Sequence, residues 1–172
     1  PQKVLRYAME VAETGFDPAQ TSDAYSREII DNIIEPPLRY DLLARPARLR
    51  PATAAALPQM SLDFRELTLK IRPGIFFADD PAFGGQPREL TAQDYVYAIK
   101  RHYDPRHKSP NLFQFENARL LGLSELRARA LADKTPFPYD TEVEGVRALD
   151  RYTLQIRLAE PSPRFPYALA DG

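Results

Sequence analysis

Between residues 62 and 105 the hydrophobic pattern changes period. In LDFRELTLKI, Leu67, Leu69 and Ile71 alternate with Thr68, Lys70 and Arg72, the period of two that turns one side of a strand to a core and the other to water. Pro73-Gly74 fits the centre of a type II turn, because proline presets the first dihedral and glycine tolerates the positive one that follows. Ile75, Phe76 and Phe77 are therefore expected to fold back and continue near the first run. A Gly/Pro loop, ADDPAFGGQPREL, leads to Thr91, three residues before Asp94, the spacing of a capping box with Asp in place of Glu. Ala92, Tyr95, Val96, Ile99 and Tyr103 then recur at helical spacing. Asp104-Pro105 ends this helix, since the residue before a proline is pushed out of helical conformation.

The flanks carry weaker patterns. Lys3 to Met9 reads as a mostly buried strand with Leu5, Tyr7 and Met9 on one face, broken by Gly15-Phe16-Asp17-Pro18. Ser22 or Asp23 then caps a predicted helix in which Tyr25, Ile29, Ile30, Ile33 and Ile34 form an apolar stripe, ended by Pro36-Pro37. At about 1.5–3 kcal/mol per buried isoleucine, that stripe is expected to pack firmly. Residues 42–58, rich in Ala, Arg and Pro, show little periodicity and read as an irregular connection. Beyond Pro110, Ser124 is a candidate cap for a helix carrying Leu126, Ala130 and Leu131, with Arg127, Arg129 and Lys134 outward. Thr135 to Tyr139 holds two prolines and must be a loop. Val146 and Ala148, a turn at Asp150-Arg151, and Tyr152, Leu154, Ile156 and Leu158 predict a hairpin.

Composition narrows the function classes. With 172 residues the chain is long enough to bury roughly 70% of its unfolded surface. The 23 basic and 24 acidic side chains nearly balance, and no Lys/Arg block appears, so nucleic acid is excluded as an expected partner. No cysteine is present, which removes disulfides and thiolate chemistry. No apolar run approaches the roughly 20 residues that span a bilayer.

Candidate chemistry is sparse. His102 and His107 are five residues apart with Asp104-Pro105 between them, poor spacing for zinc, and they read as surface or packing histidines. Asp79-Asp80 would be a carboxylate pair for catalysis, yet adjacent acids in a Pro/Gly loop usually form turns. Gly84-Gly85 lacks the further glycines of a phosphate loop. Nothing in the chain argues for an enzyme, and no cofactor or metal is expected.

The order of these pieces is similar to one family. Leu69 to Phe77, Leu90 to Ile99, Arg101, Asp104-Pro105 and Ser109-Pro110 fall in a sequence that resembles the family 5 extracellular solute-binding proteins, the dipeptide and oligopeptide receptors of ABC importers. Phe16-Asp17-Pro18 matches the way these receptors begin, and the hairpin from Val143 to Leu158 resembles the close of their small lobe; Glu35-Pro36-Pro37 departs from the usual Glu-Gly. The resemblance implies an α/β (α+β) fold of the type II periplasmic-binding-protein kind, present in part as the small lobe and the start of the large lobe. Residues 1–40 would begin the large lobe, 41–160 form the small lobe and 161–172 return towards the large one. It also implies a monomer, periplasmic or lipid-anchored outside the cell, that captures a peptide or other small solute and passes it to a membrane permease. A ligand-sensing or peptide-holding, chaperone-like module without a transport role is the alternative.

By the same resemblance, Thr21, Ser22, Asp23 and Ala24 line the ligand cleft, joined by Asn111 after the Ser-Pro step and by nearby Phe113. Extended peptides are held largely by main-chain bonds and roomy wet pockets, so a sharp motif is not expected. The same residues have plain structural uses: Ser22 and Asp23 cap helices well, and Phe113 suits a core. If it faces the cleft, Asp23 would pair with a ligand amino group.

Overall fold

The computed structural model describes residues 3, 4 and 6–170. Its centre is a four-stranded antiparallel sheet in which the alternating run forms β4 (Glu66–Lys70). One edge of β4 pairs with the short β3 (Gln59–Met60), the other with β6 (Thr153–Arg157), which in turn pairs with β5 (Val146–Asp150). Register places Leu67 opposite Ile156 and Leu69 opposite Leu154, while Val146 faces Ile156 from the outer strand. All five side chains are buried, and these cross-strand pairs give the sheet one apolar face.

The amphipathic helix α2 (Ala92–Tyr103) covers that face with Ala92, Val96, Ile99 and Tyr103. Its start follows the predicted chemistry: the Asp94 carboxylate accepts from the Thr91 backbone N–H at 2.7 Å and from the Thr91 hydroxyl at 2.8 Å. Asp104 ends it and accepts from the N–H of Arg106, opening a 3-10 turn over Pro105–His107. The 150s hairpin also forms as expected, with Asp150 accepting from the Tyr152 N–H and the Thr153 hydroxyl.

Several expectations need correction. Ile75 to Phe77 do not continue beside β4, because β3 and β6 already occupy both of its edges. The Pro73-Gly74 turn, with Gly74 at φ +79°, instead sends them to pair with Arg88–Leu90, Phe76 opposite Glu89. Residues 42–58 are not simply irregular: β1 (Leu38–Asp41) and β2 (Arg48–Pro51) form a separate antiparallel pair. That pair lacks an alternating apolar pattern since half of its residues are exposed, and only Leu38 is fully buried.

In the helix after Pro110, two helices stand where one was read. The first, α3, spans Leu112–Ala118 and α4 spans Leu123–Asp133. Gly122, at φ +81°, precedes α4, Ser124 sits exposed inside it, and Leu123 fills the core position while Leu131 is exposed. The stripe of α1 (Ala24–Ile33) buries only Ile30 fully, and Ile33 stands open to solvent. Lys3 to Met9 forms no strand among its described residues; Val4 and Tyr7 are exposed, and Leu5 lies outside the described residues. Alternation without a neighbouring strand has nothing to pair with, since both sheets recruit other segments.

One junction stitches the helical layer to the sheet. Gly145 donates to the Leu121 carbonyl and accepts from the Arg157 N–H, and Leu121 donates to the Arg157 carbonyl. A Cβ at 145 would lie 2.5 Å from the Leu121 backbone, so only glycine fits there.

Leu154, completely buried where β6 meets α2, tests this core. Leu154→Ala is expected to cost about 2–5 kcal/mol, read as a lower urea midpoint with an unchanged denaturant slope.

Candidate functional site

The turn at Phe16-Asp17-Pro18 is built around one carboxylate. Asp17 accepts from the Ala19 N–H with one oxygen and from the Gln20 amide with the other, while its backbone carbonyl accepts from Gln20, Thr21 and the Thr21 hydroxyl. From the last turn of α2, Arg101 grips both carboxylate oxygens, at 2.9 and 2.6 Å. Partial burial pushes the Asp17 carboxyl up, but the Arg101 bond and the Ala19 N–H outweigh it and hold the group below the usual carboxylate range.

A second set of side chains holds the same turn from below. The Asn111 side-chain nitrogen donates to the Pro18 carbonyl at 3.2 Å and to the Thr21 carbonyl at 3.1 Å. Ser109 links Asn111 to α2, with its hydroxyl 3.3 Å from the Asn111 N–H and 2.8 Å from the His102 ring. His102 packs on Phe115, ring centroids 4.8 Å apart, and burial followed by the Arg101 charge lowers its pKa to about 4. Gln20 also reaches His107, whose other nitrogen meets the Tyr139 hydroxyl. Tyr139 donates to the fully buried Asp104, where bonds from Arg106 and Tyr139 overcome burial and lower the pKa to about 2.

The family model for bacterial extracellular solute-binding proteins, family 5 (middle region), matches residues 48–172. The chain belongs to this family. It is a family of solute-binding proteins rather than enzymes. This family 5 chain is 30% identical to the periplasmic murein peptide-binding protein MppA of Escherichia coli, across 94% of the chain and 30% of that protein. Its identity to the probable deoxycholate-binding periplasmic protein YgiS of Escherichia coli is 28%, across 99% of the chain and 28% of the relative. Among solved structures, the pheromone receptor PrgZ matches with a TM-score of 0.67 and 30% identity, over 90% of this chain and 27% of that one. The mixed α/β architecture is thus shared with the family, and the chain spans less than a third of the length of these relatives.

The six expected cleft residues of the family 5 chain fall into two groups. Thr21 and Asn111 are bonded to each other through the Thr21 carbonyl, and Thr21 is buried. Ser22 and Ala24 are exposed at the start of α1, with Asp23 between them as the N-cap, accepting from the Ser26 N–H and the Thr14 hydroxyl. Those two bonds, the Ser26 N–H first, hold the Asp23 carboxyl down at about 2. Phe113, two residues past Asn111, is exposed in the first turn of α3.

Arg101, Gln20 and His107 were not singled out from the sequence as site residues. A signal existed for Arg101, since it and Asp17 both lie in the resembling motifs, although nothing in either motif says that the two meet. Asp80 accepts from the Ala82 N–H at the head of a 3-10 turn, in keeping with the turn-forming reading. Beside the Asp17–Arg101 pair lies an open groove of about 440 Å³, lined by Ile33, Ile75, Phe76, Phe77, Tyr97 and Arg101 among others.

His102 gives this region a pH signature. Its folded value of about 4 lies below the ordinary 6.5, so between those values the unfolded chain takes up a proton that the folded chain refuses. Stability from this group is therefore full above about 6.5 and falls as pH drops towards 4. The depressed carboxyls of Asp17 and Asp104 act only lower, below the usual carboxylate range. Urea midpoints measured from pH 7 to pH 4 are expected to decline in the native chain and to decline less in His102→Gln.

Proposed function

We propose that this chain forms part of a periplasmic or lipid-anchored receptor that captures a peptide between two lobes and delivers it to the membrane permease of an ABC importer. The observation that carries this reading is the family match, joined by likeness to MppA and PrgZ over at least 90% of the chain. In this reading residues 1–40 begin the large lobe, 41–160 make the small lobe and 161–172 return towards the large one, and the receptor works as a monomer. Thr21 to Ala24, Asn111 and Phe113 make one wall of the cleft. Capture follows the logic of hinged binding proteins, in which ligand favours the closed arrangement by its differential affinity for it.

YgiS supports a second reading, a non-peptide solute, because it matches 99% of the chain and is named a probable deoxycholate-binding protein. The groove walled by Phe76, Phe77 and Tyr97 is compatible with such a ligand. A sensing or peptide-holding role without transport is the third.

Native mass spectrometry separates the first two. The receptor is produced from its full reading frame, incubated with a mixed peptide pool and gently desalted. A retained adduct of peptide mass is the expected result. A folded receptor that retains no peptide but retains deoxycholate would replace the peptide reading with the steroid one. In the same assay Asp23→Asn is expected to weaken capture roughly tenfold or more if the carboxylate pairs with a ligand amine. Unchanged retention of every captured peptide would leave Asp23 with its helix cap alone.

A further inference from the structure

We infer that, within the cleft wall proposed above, Asn111 is a positioning residue: its side-chain amide holds the Asp17–Thr21 turn in shape, and ligand is met by the exposed side chains of that wall from Ser22 onward and not by Asn111 itself. This rests on the cleft-wall reading proposed above. The argument begins with donor capacity. A side-chain amide has two N–H donors on one nitrogen, and here that nitrogen lies within 3.2 Å of two carbonyl oxygens, those of Pro18 and Thr21. Two acceptors fix which end of the amide points at the turn, because the amide oxygen would repel both.

Neither carbonyl meets a backbone donor among the described residues, so Asn111 supplies the donor that both of these partly or fully buried residues use. The partners are 93 and 90 residues away in the chain, so this is a tertiary clamp and not a local turn device. Asn111 is itself held: its N–H approaches Ser109, Ser109 meets His102 on α2, and its carbonyl accepts from Gln114 in α3.

Independently of Asn111, Arg101 fixes the Asp17 carboxylate, and Gln20 ties that carboxylate to His107. Counted from Asp17, the turn is gripped at its first residue by Arg101 and at its second and fifth by Asn111. Thr21 is turned inward with its hydroxyl on the Asp17 carbonyl, which leaves Ser22 as the first exposed side chain beyond the clamp. Preorganisation of this kind lowers the ordering cost of binding without adding a contact.

The test separates clamp from contact. Hydrogen exchange is followed at the Gln20 and Thr21 amides, both bonded to the Asp17 carbonyl, with Leu69 and Leu154 in the sheet as controls for global folding. Asn111→Ala removes donors and acceptor, whereas Asn111→Asp keeps an acceptor but sets a carboxylate against two carbonyls. Both variants are expected to exchange roughly tenfold or more faster at Gln20 and Thr21, with the sheet amides unchanged, and both to lose peptide capture in the native mass assay. Unchanged exchange at Gln20 and Thr21 would overturn the inference. So would capture that survives in Asn111→Asp and fails in Asn111→Ala, since that pattern marks the side-chain oxygen as a ligand contact. If the sheet amides of Asn111→Ala lose protection, Asn111→Ser, which also lacks the paired donors, takes its place in the comparison. A native receptor that retains no peptide would refute the peptide reading alone, and the exchange result would still decide the role of Asn111.

Discussion

The central core of this chain depends on the burial of Leu67 and Leu69 in a strand with both edges occupied, and of Ile71 just beyond its end. Removing each of these from water contributes about 1.5–3 kcal/mol, and cross-strand partners such as Ile156 and Leu154 make the registration specific. Because β4 has no free edge, the chain after Pro73-Gly74 has to leave the sheet and make its own short pairing at Phe76 and Glu89. That excursion delivers Thr91 to the place where α2 starts, with the Ala92 N–H bonded to the Arg151 carbonyl of the β5–β6 turn. The direction of α2 across the sheet then decides where Arg101, Asp104 and the Ser109-Asn111 step arrive.

Among the described residues, two hydrogen-bonded junctions help tie the first 35 to this frame, beside the buried side chains of Ala19 and Ile30. One is the Asp17 turn, held by Arg101 and Asn111. The other is Tyr95, whose hydroxyl donates to the Glu35 carbonyl at 3.1 Å and meets Thr53, which itself donates to the Pro36 carbonyl. Burial raises the Tyr95 hydroxyl to about 12, which keeps it a donor at any ordinary pH. An ion pair that remains about a quarter exposed, as Asp17 and Arg101 do, adds little by charge alone. Its two-pronged geometry does more by fixing orientation.

How far the sequence revealed this depends on range. The period of two in Leu67-Leu69-Ile71, the Pro73-Gly74 turn, the Thr91/Asp94 cap and the Asp104-Pro105 stop are local statements, and each appears where it was read. The β1–β2 pair was missed because Tyr40, Arg48 and Arg50 are exposed on strands held by their pairing, and such strands leave no apolar alternation to read. Lys3 to Met9 failed for the converse reason, an alternation with no partner strand. In the candidate site, resemblance supplied Thr21 to Ala24, Asn111 and Phe113, but the meeting of Asp17 with Arg101, 84 residues apart, is a product of the sheet and of α2. No local pattern encodes such a contact.

The Gly145 junction has a consequence for how this scaffold tolerates change. Three backbone segments are laced together there with no side chain between them, leaving no slack for an added residue. The tip of the β1–β2 pair is the opposite case, with Leu42 and Leu43 standing almost fully in solvent beyond the paired rungs. A reporter domain or epitope spliced into the chain therefore belongs at that tip and not beside Gly145, where even an added Cβ would press on the Leu121 backbone.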